Sequence, residues 1–282
     1  MSLKSQKRLI HERDWHVLIV LDACRYDYFE EIYQEYLSGK LRKVRSQCFD
    51  DSFLYSEGRT KTWLRNTFDK KMGGVVYVSG TPHVNSVEVN TENEDFVATD
   101  VFSDIIDVWD WGWAEELGTT PPEKIVEGVN IAKEKYSEKD LIIHFVQPHG
   151  PYLALGGKEI EVSGMVSSSS ELGILDRGRK MAGRILQSFL PGEIFKELRN
   201  FFSSIDKPAE KIAKEYGKGE LRNFYTKNLR SALVEVEKIV RLFPDKSIVI
   251  TSDHGEFLGE KGLYGHNWNE EFLTEVPWFE VS

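Results

Sequence analysis

Two largely apolar runs, each leading to an acidic residue, constrain the fold more than any other feature. The first covers residues 16–21 and is followed by Asp22, and the second covers residues 247–250 and leads to Asp253 and His254. Runs of this length are typical of strands buried on both faces, as in a parallel sheet. Because parallel strands share a direction, we expect both acidic strand ends at one edge of the sheet, where α/β proteins bind ligands.

Strand and helix patterns alternate along much of the chain and predict the remaining architecture. We expect a helix to begin at residue 28, further helices at residues 62–68, 122–136 and 221–243, and strands at residues 74–79, 141–146 and 276–281. The acidic region after residue 82 is expected to be irregular. This order predicts an α/β fold in one domain, with a mostly parallel central sheet and helices on both faces.

Residues 156–218 are harder to interpret than the rest of the chain. A serine-rich stretch at residues 166–171 predicts a loop, and residues 194–202 and 209–216 have helical patterns. The segment follows His149, so we expect a helical insertion or lid over the sheet edge, since loops at such edges often determine specificity. The alternative is a surface excursion that does not contact substrate.

Composition narrows the function classes. The net charge of −10 argues against broad nucleic-acid binding, so anion recognition has to come from local cations or a metal. Two cysteines, Cys24 and Cys48, are too few for a disulfide framework. We find no apolar run of membrane-spanning length and no signal-peptide pattern, and a cytoplasmic location is expected.

Asp253 and His254 form the first candidate metal site. A carboxylate beside an imidazole at a strand end offers a hard oxygen and a borderline nitrogen to a divalent ion. Asp22 is expected on the same edge and can contribute a third ligand. Gly255 is expected to let the backbone turn sharply behind the pair. The alternative is an ordinary capped strand end.

Three segments resemble motifs of the alkaline phosphatase and sulfatase superfamily. Residues 21–27, Leu-Asp-Ala-Cys-Arg-Tyr-Asp, resemble the acidic opening of sulfatases, and residues 147–152 resemble their Pro-His-x-Pro-Tyr segment. Residues 252–256, Ser-Asp-His-Gly-Glu, with Gly265 and His266, resemble the late metal motif. The resemblance spans most of the chain outside residues 156–218. It implies an alkaline-phosphatase-like fold and metal-dependent chemistry on esters.

The resemblance also implies a hydroxyl nucleophile near the start of a helix that follows the first strand–helix unit. Thr60 is the candidate, and Arg59 and Lys61 are expected to bind substrate beside it. A helix N-terminus favours developing negative charge, and a bound metal lowers the pKa of a hydroxyl. Thr62, Ser56 and Thr81 are competing nucleophiles, and helix capping is the alternative role for Thr60.

The metal ligands implied by the resemblance are Asp22, Thr60, Asp253 and His254, around one divalent ion, Mn²⁺, Zn²⁺ or Mg²⁺. Ala23 stands where sulfatases have a further acidic ligand, which removes one carboxylate from the site. The sulfatase sequence that directs formylglycine formation is absent, since neither cysteine has a proline two positions later. Sulfatase action is therefore the less favoured alternative.

His149 and His266 are predicted to bind a non-bridging oxygen or to protonate the leaving group. Structural hydrogen bonding and recruitment to a second ion are the alternatives for each. Arg25 is a predicted substrate contact, and the alternative is that it holds Asp27 or a neighbouring helix.

These residues together predict a metal-dependent phosphoester hydrolase, or a phosphoryl or phosphoglycerol transferase. The expected partner is a small-molecule, glycan-linked or lipid-linked ester substrate. Sulfuric ester hydrolysis and a catalytically silent binding domain of the same fold are the alternatives.

Overall fold

A seven-stranded mixed sheet organises the computed structural model, which describes residues 3–49, 59–87, 96–156, 208–266 and 270–282. The strands are β1 (Val17–Asp22), β2 (Gly39–Arg45), β3 (Met72–Ser79), β4 (Phe102–Asp107), β5 (Asp140–Pro148), β6 (Ile248–Ser252), β7 (Phe257–Leu258), β8 (Tyr264–Gly265) and β9 (Glu275–Val281). The order across the main sheet is β2-β9-β6-β1-β5-β3-β4, and β7 pairs with β8 separately. β1 pairs in parallel with β5 and β6, and β9 runs antiparallel to β6 and β2.

Helices cover both faces of the sheet. They are α1 (Gln6–Glu12), α2 (Tyr26–Ile32), α3 (Arg59–Thr67), α4 (Ala98–Val101), α5 (Val108–Trp111), α6 (Pro122–Lys135), α7 (Pro208–Tyr216), α8 (Lys218–Leu242) and α9 (Glu271–Thr274), with short 3₁₀ turns at Tyr33–Glu35, Leu153–Leu155 and Glu260–Gly262. No helix in the described ranges combines the length and apolar composition that a membrane crossing requires.

Two apolar cores lie on opposite faces of the sheet. Every residue of β1 is buried, as expected for a central strand, and successive side chains alternate between the two cores. Ile19 and Leu229 of α8 belong to the core on one face, and Leu18 and Trp63 of α3 belong to the core on the other. The predicted α/β class with helices on both faces is confirmed.

Element positions differ from the sequence predictions in several places, of which three bear on the site and the sheet. The helix expected at residues 62–68 begins at Arg59, so Thr60 lies in its first turn. The region after residue 82, expected to be irregular, contains β4, whose mixed burial hides a strand pattern. β2 was not expected, because it is an edge strand rich in lysine and arginine, the composition that protects sheet edges.

The helix predicted at residues 209–216 is confirmed as α7, and the long helix predicted at residues 221–243 is confirmed as α8. Residues 157–207, which make up most of the expected insertion, lie outside the described residues. The single domain with an insertion or lid therefore stays a prediction.

Candidate metal centre and catalytic site

The four residues predicted as metal ligands converge at the carboxyl edge of the sheet. Asp22 ends β1, Asp253 and His254 follow β6, and Thr60 lies in the first turn of α3. Thr60 Oγ1 donates a 2.7 Å hydrogen bond to Asp253 Oδ2 and lies 3.3 Å from His254 Nε2. The same nitrogen lies 3.6 Å from Asp22 Oδ1 and 3.4 Å from Asp253 Oδ2.

The two carboxylates are held differently. Asp253 Oδ1 accepts hydrogen bonds from the backbone N–H groups of Ala23, at 3.0 Å, and His254, at 2.9 Å. Together with the bond from Thr60, both of its oxygens have donors within the protein. Asp22 Oδ1 is buried and has no hydrogen-bond partner among the described residues.

The electrostatics of the two carboxylates follow from these contacts. Burial raises the pKa of Asp22 well above its usual range, and the charge of Asp253 raises it further. Burial also acts to raise the pKa of Asp253, but neighbouring histidines and the bond from Thr60 outweigh it, so its pKa is lowered. Burial lowers the pKa of His254, and its neutral ring can offer a lone pair to a cation.

This donor set fits a divalent cation. Two carboxylates, an imidazole and a hydroxyl are ligands that Zn²⁺ and Mn²⁺ accept. A cation between them would offset the negative charge that is buried at these strand ends. It would also give Asp22 Oδ1 a partner, which the described residues do not.

The turn after Asp22 is fixed by a tyrosine from α8. Ala23 has a φ of 58°, in the left-handed region that costs an L-residue about 1–2 kcal/mol. The Tyr225 hydroxyl donates to the Ala23 carbonyl at 2.7 Å and accepts from the Arg25 N–H at 2.9 Å. These bonds hold the backbone in the conformation that places Asp22 at the site.

Gly255 has a different role from the sharp turn that was expected. Its φ lies outside the left-handed region, so backbone freedom is not what requires glycine here. A Cβ at this position would lie 2.0 Å from the carbonyl oxygen of Phe272. The requirement is close packing of the segment that carries Asp253 and His254 against the chain before β9.

A second cluster borders the first. His149, Glu256 and His266 each place one ligand-type atom within 4.8 Å of the others, and all three side chains are buried. His149 Nε2 lies 3.9 Å from Glu256 Oε1. The ring centroids of His266 and His254 are 4.5 Å apart, so His266 connects the two clusters.

Arg25 is occupied by protein carboxylates. Its guanidinium pairs with Asp27 at 2.7 Å and with Glu260 at 2.8 Å, and it lies 4.7 Å from the ring centroid of Phe272. These contacts match the alternative in which Arg25 holds Asp27. Its predicted contact with substrate stays a prediction.

Arg59 and Lys61 flank Thr60 but differ in their surroundings. Arg59 is fully buried and donates to the backbone carbonyls of His266 and Cys48, so it fixes the segment that carries His266. Lys61 is half-buried and leaves the helix about 100° around its axis from Thr60. Direct substrate binding by either residue stays a prediction.

The competing hydroxyls lie in other settings. Thr62 is buried in α3 and points about 160° around the helix from Thr60. Thr81 Oγ1 accepts a bond from the His83 N–H at 3.4 Å. Ser56 lies outside the described residues.

Comparison with known proteins finds similarity in structure but none in sequence family. No family model matches the chain, and no curated protein matches it. The integral membrane protein lipooligosaccharide phosphoethanolamine transferase A (EptA) of Neisseria meningitidis aligns with a TM-score of 0.50 and 18% identity, over 99% of this chain and 48% of that one. The chain has the alkaline phosphatase and sulfatase fold. The fold implied by the three sequence motifs is therefore confirmed.

Two other solved structures align with lower TM-scores. The putative sulfatase yidJ of Bacteroides fragilis has a TM-score of 0.44 and 13% identity, over 95% of this chain and 67% of that one. The phosphonate monoester hydrolase of Agrobacterium radiobacter has a TM-score of 0.46 and 12% identity, over 94% of this chain and 67% of that one. A fold shared at this level of identity does not fix the reaction.

Besides Tyr225, three residues at the site were missed by the sequence analysis. Glu256 ends the quoted Ser-Asp-His-Gly-Glu motif but was given no role. Asn228 of α8 donates to the carbonyls of His149 and Pro151, both at 3.1 Å, and interrupts an apolar stripe, which was the available signal. His144 lies inside the apolar strand β5, and burial lowers its pKa to about 4.

Proposed function

We propose that the protein is a metal-dependent enzyme that cleaves or transfers phosphoesters with Thr60 as the nucleophile. The observation that carries this proposal is the 2.7 Å hydrogen bond from Thr60 Oγ1 to Asp253, within 3.3 Å of His254. Asp22, Thr60, Asp253 and His254 are the proposed ligands of one divalent ion. The Thr60 hydroxyl also lies at the first turn of a helix, where negative charge is stabilised.

A bound divalent ion would polarise the phosphoryl group and lower the pKa of the Thr60 hydroxyl. Thr60 Oγ1 passes its proton to Asp253 Oδ2 and forms a bond to phosphorus. The bond from phosphorus to the substrate alcohol breaks, and the leaving oxygen takes a proton from His149 or His266. The product of this step is a phosphothreonine. Water or an acceptor alcohol then attacks phosphorus and releases Thr60.

The two histidines of the second cluster, His149 and His266, bind the substrate and protonate its leaving group in this mechanism. Burial lowers the pKa of His266 well below its usual range, and His254 and His149 lower it further. A neutral imidazole donates a hydrogen bond only at its protonated nitrogen, so neutral His266 is suited to bind a non-bridging phosphoryl oxygen. His149 Nδ1 lies 2.7 Å from the Gly150 carbonyl oxygen and carries the proton of the neutral ring, so His149 Nε2 can donate to a phosphoryl oxygen only when the ring is protonated. Substrate negative charge beside them favours the protonated form, from which either ring can protonate the leaving oxygen.

Phosphoesters are preferred to sulfate esters in this proposal. Neither cysteine has the context for formylglycine formation, and the residue at the nucleophile position carries a hydroxyl. A phosphorylated threonine can be released by attack at phosphorus, whereas a sulfated threonine lacks the aldehyde hydrate that sulfatases use for release. Hydrolysis and transfer differ only in the acceptor, and a glycan-linked or lipid-linked alcohol is the proposed acceptor for transfer.

The test combines turnover with trapping of the covalent intermediate. Purified protein, stripped with a chelator and reloaded with Zn²⁺, Mn²⁺ or Mg²⁺, is assayed on an aryl phosphate, a phosphodiester and a sulfate ester of equal leaving-group pKa. We expect kcat/KM to be highest for a phosphorus ester, and rapid quenching to trap one phosphoryl group on Thr60 by peptide mass spectrometry. Thr60→Ala is expected to abolish both, and Thr62→Ala, from the same helix, serves as the matched control.

A higher kcat/KM for the sulfate ester contradicts the proposed substrate class. A phosphoryl group on Thr62 or Thr81 contradicts the proposed nucleophile and leaves the class intact.

A further inference from the structure

A buried tyrosine–histidine pair lies beside the acidic strand ends and has no part in the mechanism above. Tyr77 of β3 and His144 of β5 are both fully buried, and the Tyr77 hydroxyl lies 2.7 Å from His144 Nδ1. β5 neighbours β1 in the sheet, and His144 is in register with Val20, two residues before Asp22. The His144 ring and the Asp22 side chain therefore project to the same face.

His144 approaches both carboxylates of the proposed metal site. One ligand-type atom from each of His144, Asp22 and Asp253 lies within 4.8 Å of the other two. His144 Nε2 and Asp22 Oδ1 are both buried, and neither has a hydrogen-bond partner among the described residues. Asp253 differs, because its oxygens already accept bonds from Thr60 and two backbone N–H groups.

The contact with Tyr77 determines which nitrogen of His144 carries the proton. A phenol has one hydrogen to donate, and Nδ1 is the acceptor that the structure provides for this buried hydroxyl. With Nδ1 accepting, the proton of the neutral ring lies on Nε2. The ring then carries an N–H, not a lone pair, at the nitrogen that Tyr77 does not contact.

We propose that His144 is a positioning residue that donates its Nε2 hydrogen to the Asp22 carboxylate, and that Tyr77 fixes the tautomer that makes this possible. The inference rests on the metal site of the proposed function. The two side chains approach each other in the structure without this hydrogen bond. With a cation bound, one Asp22 oxygen would accept from His144 and the other would face the cation. The role parallels the hydrogen bonds that Asp253 receives from Thr60 and the backbone.

Zinc affinity of the stripped protein is the readout, measured by competition with a chromophoric chelator. Loss of an outer hydrogen bond to a metal ligand typically weakens metal binding about 10–100-fold, and we expect this loss in His144→Leu. His144→Gln keeps an N–H near the position of Nε2 and is expected to recover most of the affinity. Tyr77→Phe releases the tautomer and is expected to fall between the two.

Phe145→Leu is the matched control, since Phe145 is the next residue of β5 and packs in the core on the opposite face. It is expected to lower the unfolding temperature while leaving zinc affinity unchanged. Wild-type zinc affinity in His144→Leu overturns this inference and leaves the proposed function intact. The same holds if Phe145→Leu lowers zinc affinity as much as His144→Leu does. If His144→Leu does not fold, Tyr77→Phe and His144→Gln decide, and unchanged affinity in Tyr77→Phe overturns the tautomer role. Failure of the wild type to bind zinc overturns the proposed metal site itself.

Discussion

Asp22 and Asp253 lie at the ends of adjacent parallel strands, yet they differ in their hydrogen bonds and their pKa values shift in opposite directions. Asp253 accepts bonds from Thr60, Ala23 and His254, and its pKa is lowered. Asp22 Oδ1 has no such partner among the described residues, and burial raises its pKa. Hydrogen bonds within the protein already stabilise the charge of Asp253, whereas the buried charge of Asp22 is the one that a bound cation would offset.

The largest expected effect is on kcat, and it tests the hydrogen bond that Asp253 accepts from the proposed nucleophile, Thr60. Asp253→Asn weakens the acceptor for the Thr60 proton and removes a ligand charge, so we expect kcat to fall about 10²–10⁴-fold, the range for a lost acid–base contact. Steady-state kinetics at saturating metal measure it. Activity within a few-fold of wild type would mean that Asp253 is not catalytic.

Asp22→Asn is expected to have opposite effects on stability in the two states: none or a gain without metal, and a loss with metal bound. Without metal, the variant removes a poorly compensated buried charge and should unfold at the same temperature as wild type or higher. With metal at about 100 times Kd, wild type gains about 2.7 kcal/mol, and most of this gain should be lost in the variant. Thermal unfolding of both proteins, with chelator and with zinc, measures the two effects. A metal-free variant that unfolds at a lower temperature than wild type would contradict the view that the charge of Asp22 is poorly compensated.

Tyr225→Phe acts on the backbone that follows Asp22 and not on the backbone that follows Asp253, because it removes the hydroxyl that holds Ala23 and Arg25. It leaves the buried Ala23 carbonyl and the Arg25 N–H without their shared partner, at a cost of about 1–3 kcal/mol in unfolding free energy. Denaturant unfolding measures the loss. Tyr33→Phe in the neighbouring 3₁₀ turn is the control, since the Tyr33 hydroxyl bonds only to an exposed glutamine among the described residues. Equal losses in the two variants would argue against a specific role for Tyr225.

A final expected effect is a pH dependence of opposite sign for the two carboxylates in metal-free protein. Asp22, with its pKa raised, contributes stability at low pH that is lost as the pH rises above its ordinary value near 3.8. Asp253, with its pKa lowered, contributes stability above that value that is lost as the pH falls below it.

Asp22→Asn should therefore gain stability relative to wild type between pH 4 and pH 7, by at most about 1.4 kcal/mol per pH unit. Urea unfolding of both proteins in chelator across this range measures the difference. A difference that shrinks with pH contradicts the raised pKa of Asp22.

The sequence was sufficient for those parts of the fold and site that local patterns determine. β1 and β6 are largely apolar runs, and the acidic residues at their ends could be expected at one edge of the sheet because parallel strands share a direction. Thr60 could be placed only through family resemblance, since a threonine at a helix start usually caps the helix. β2 could not be predicted because its lysines and arginines protect an edge and mask the strand pattern.

The remaining features of the site depend on contacts between distant parts of the chain. Arg25 was taken for a substrate contact because its charge is visible in the sequence, while its partner Glu260 is brought near it only by folding. Asn228 reaches the His149 loop from a helix that begins beyond residue 217. Nothing local to β5 indicates that His144 faces Asp22 and Asp253.

Anomalous diffraction at the zinc edge, from crystals of wild-type protein soaked in zinc, tests the central claim most directly. The account predicts one strong peak about 2.0–2.2 Å from an oxygen of Asp22, an oxygen of Asp253 and Nε2 of His254, with Thr60 Oγ1 beside it. Zinc bound only at His149, Glu256 and His266, or at no buried position, would contradict it.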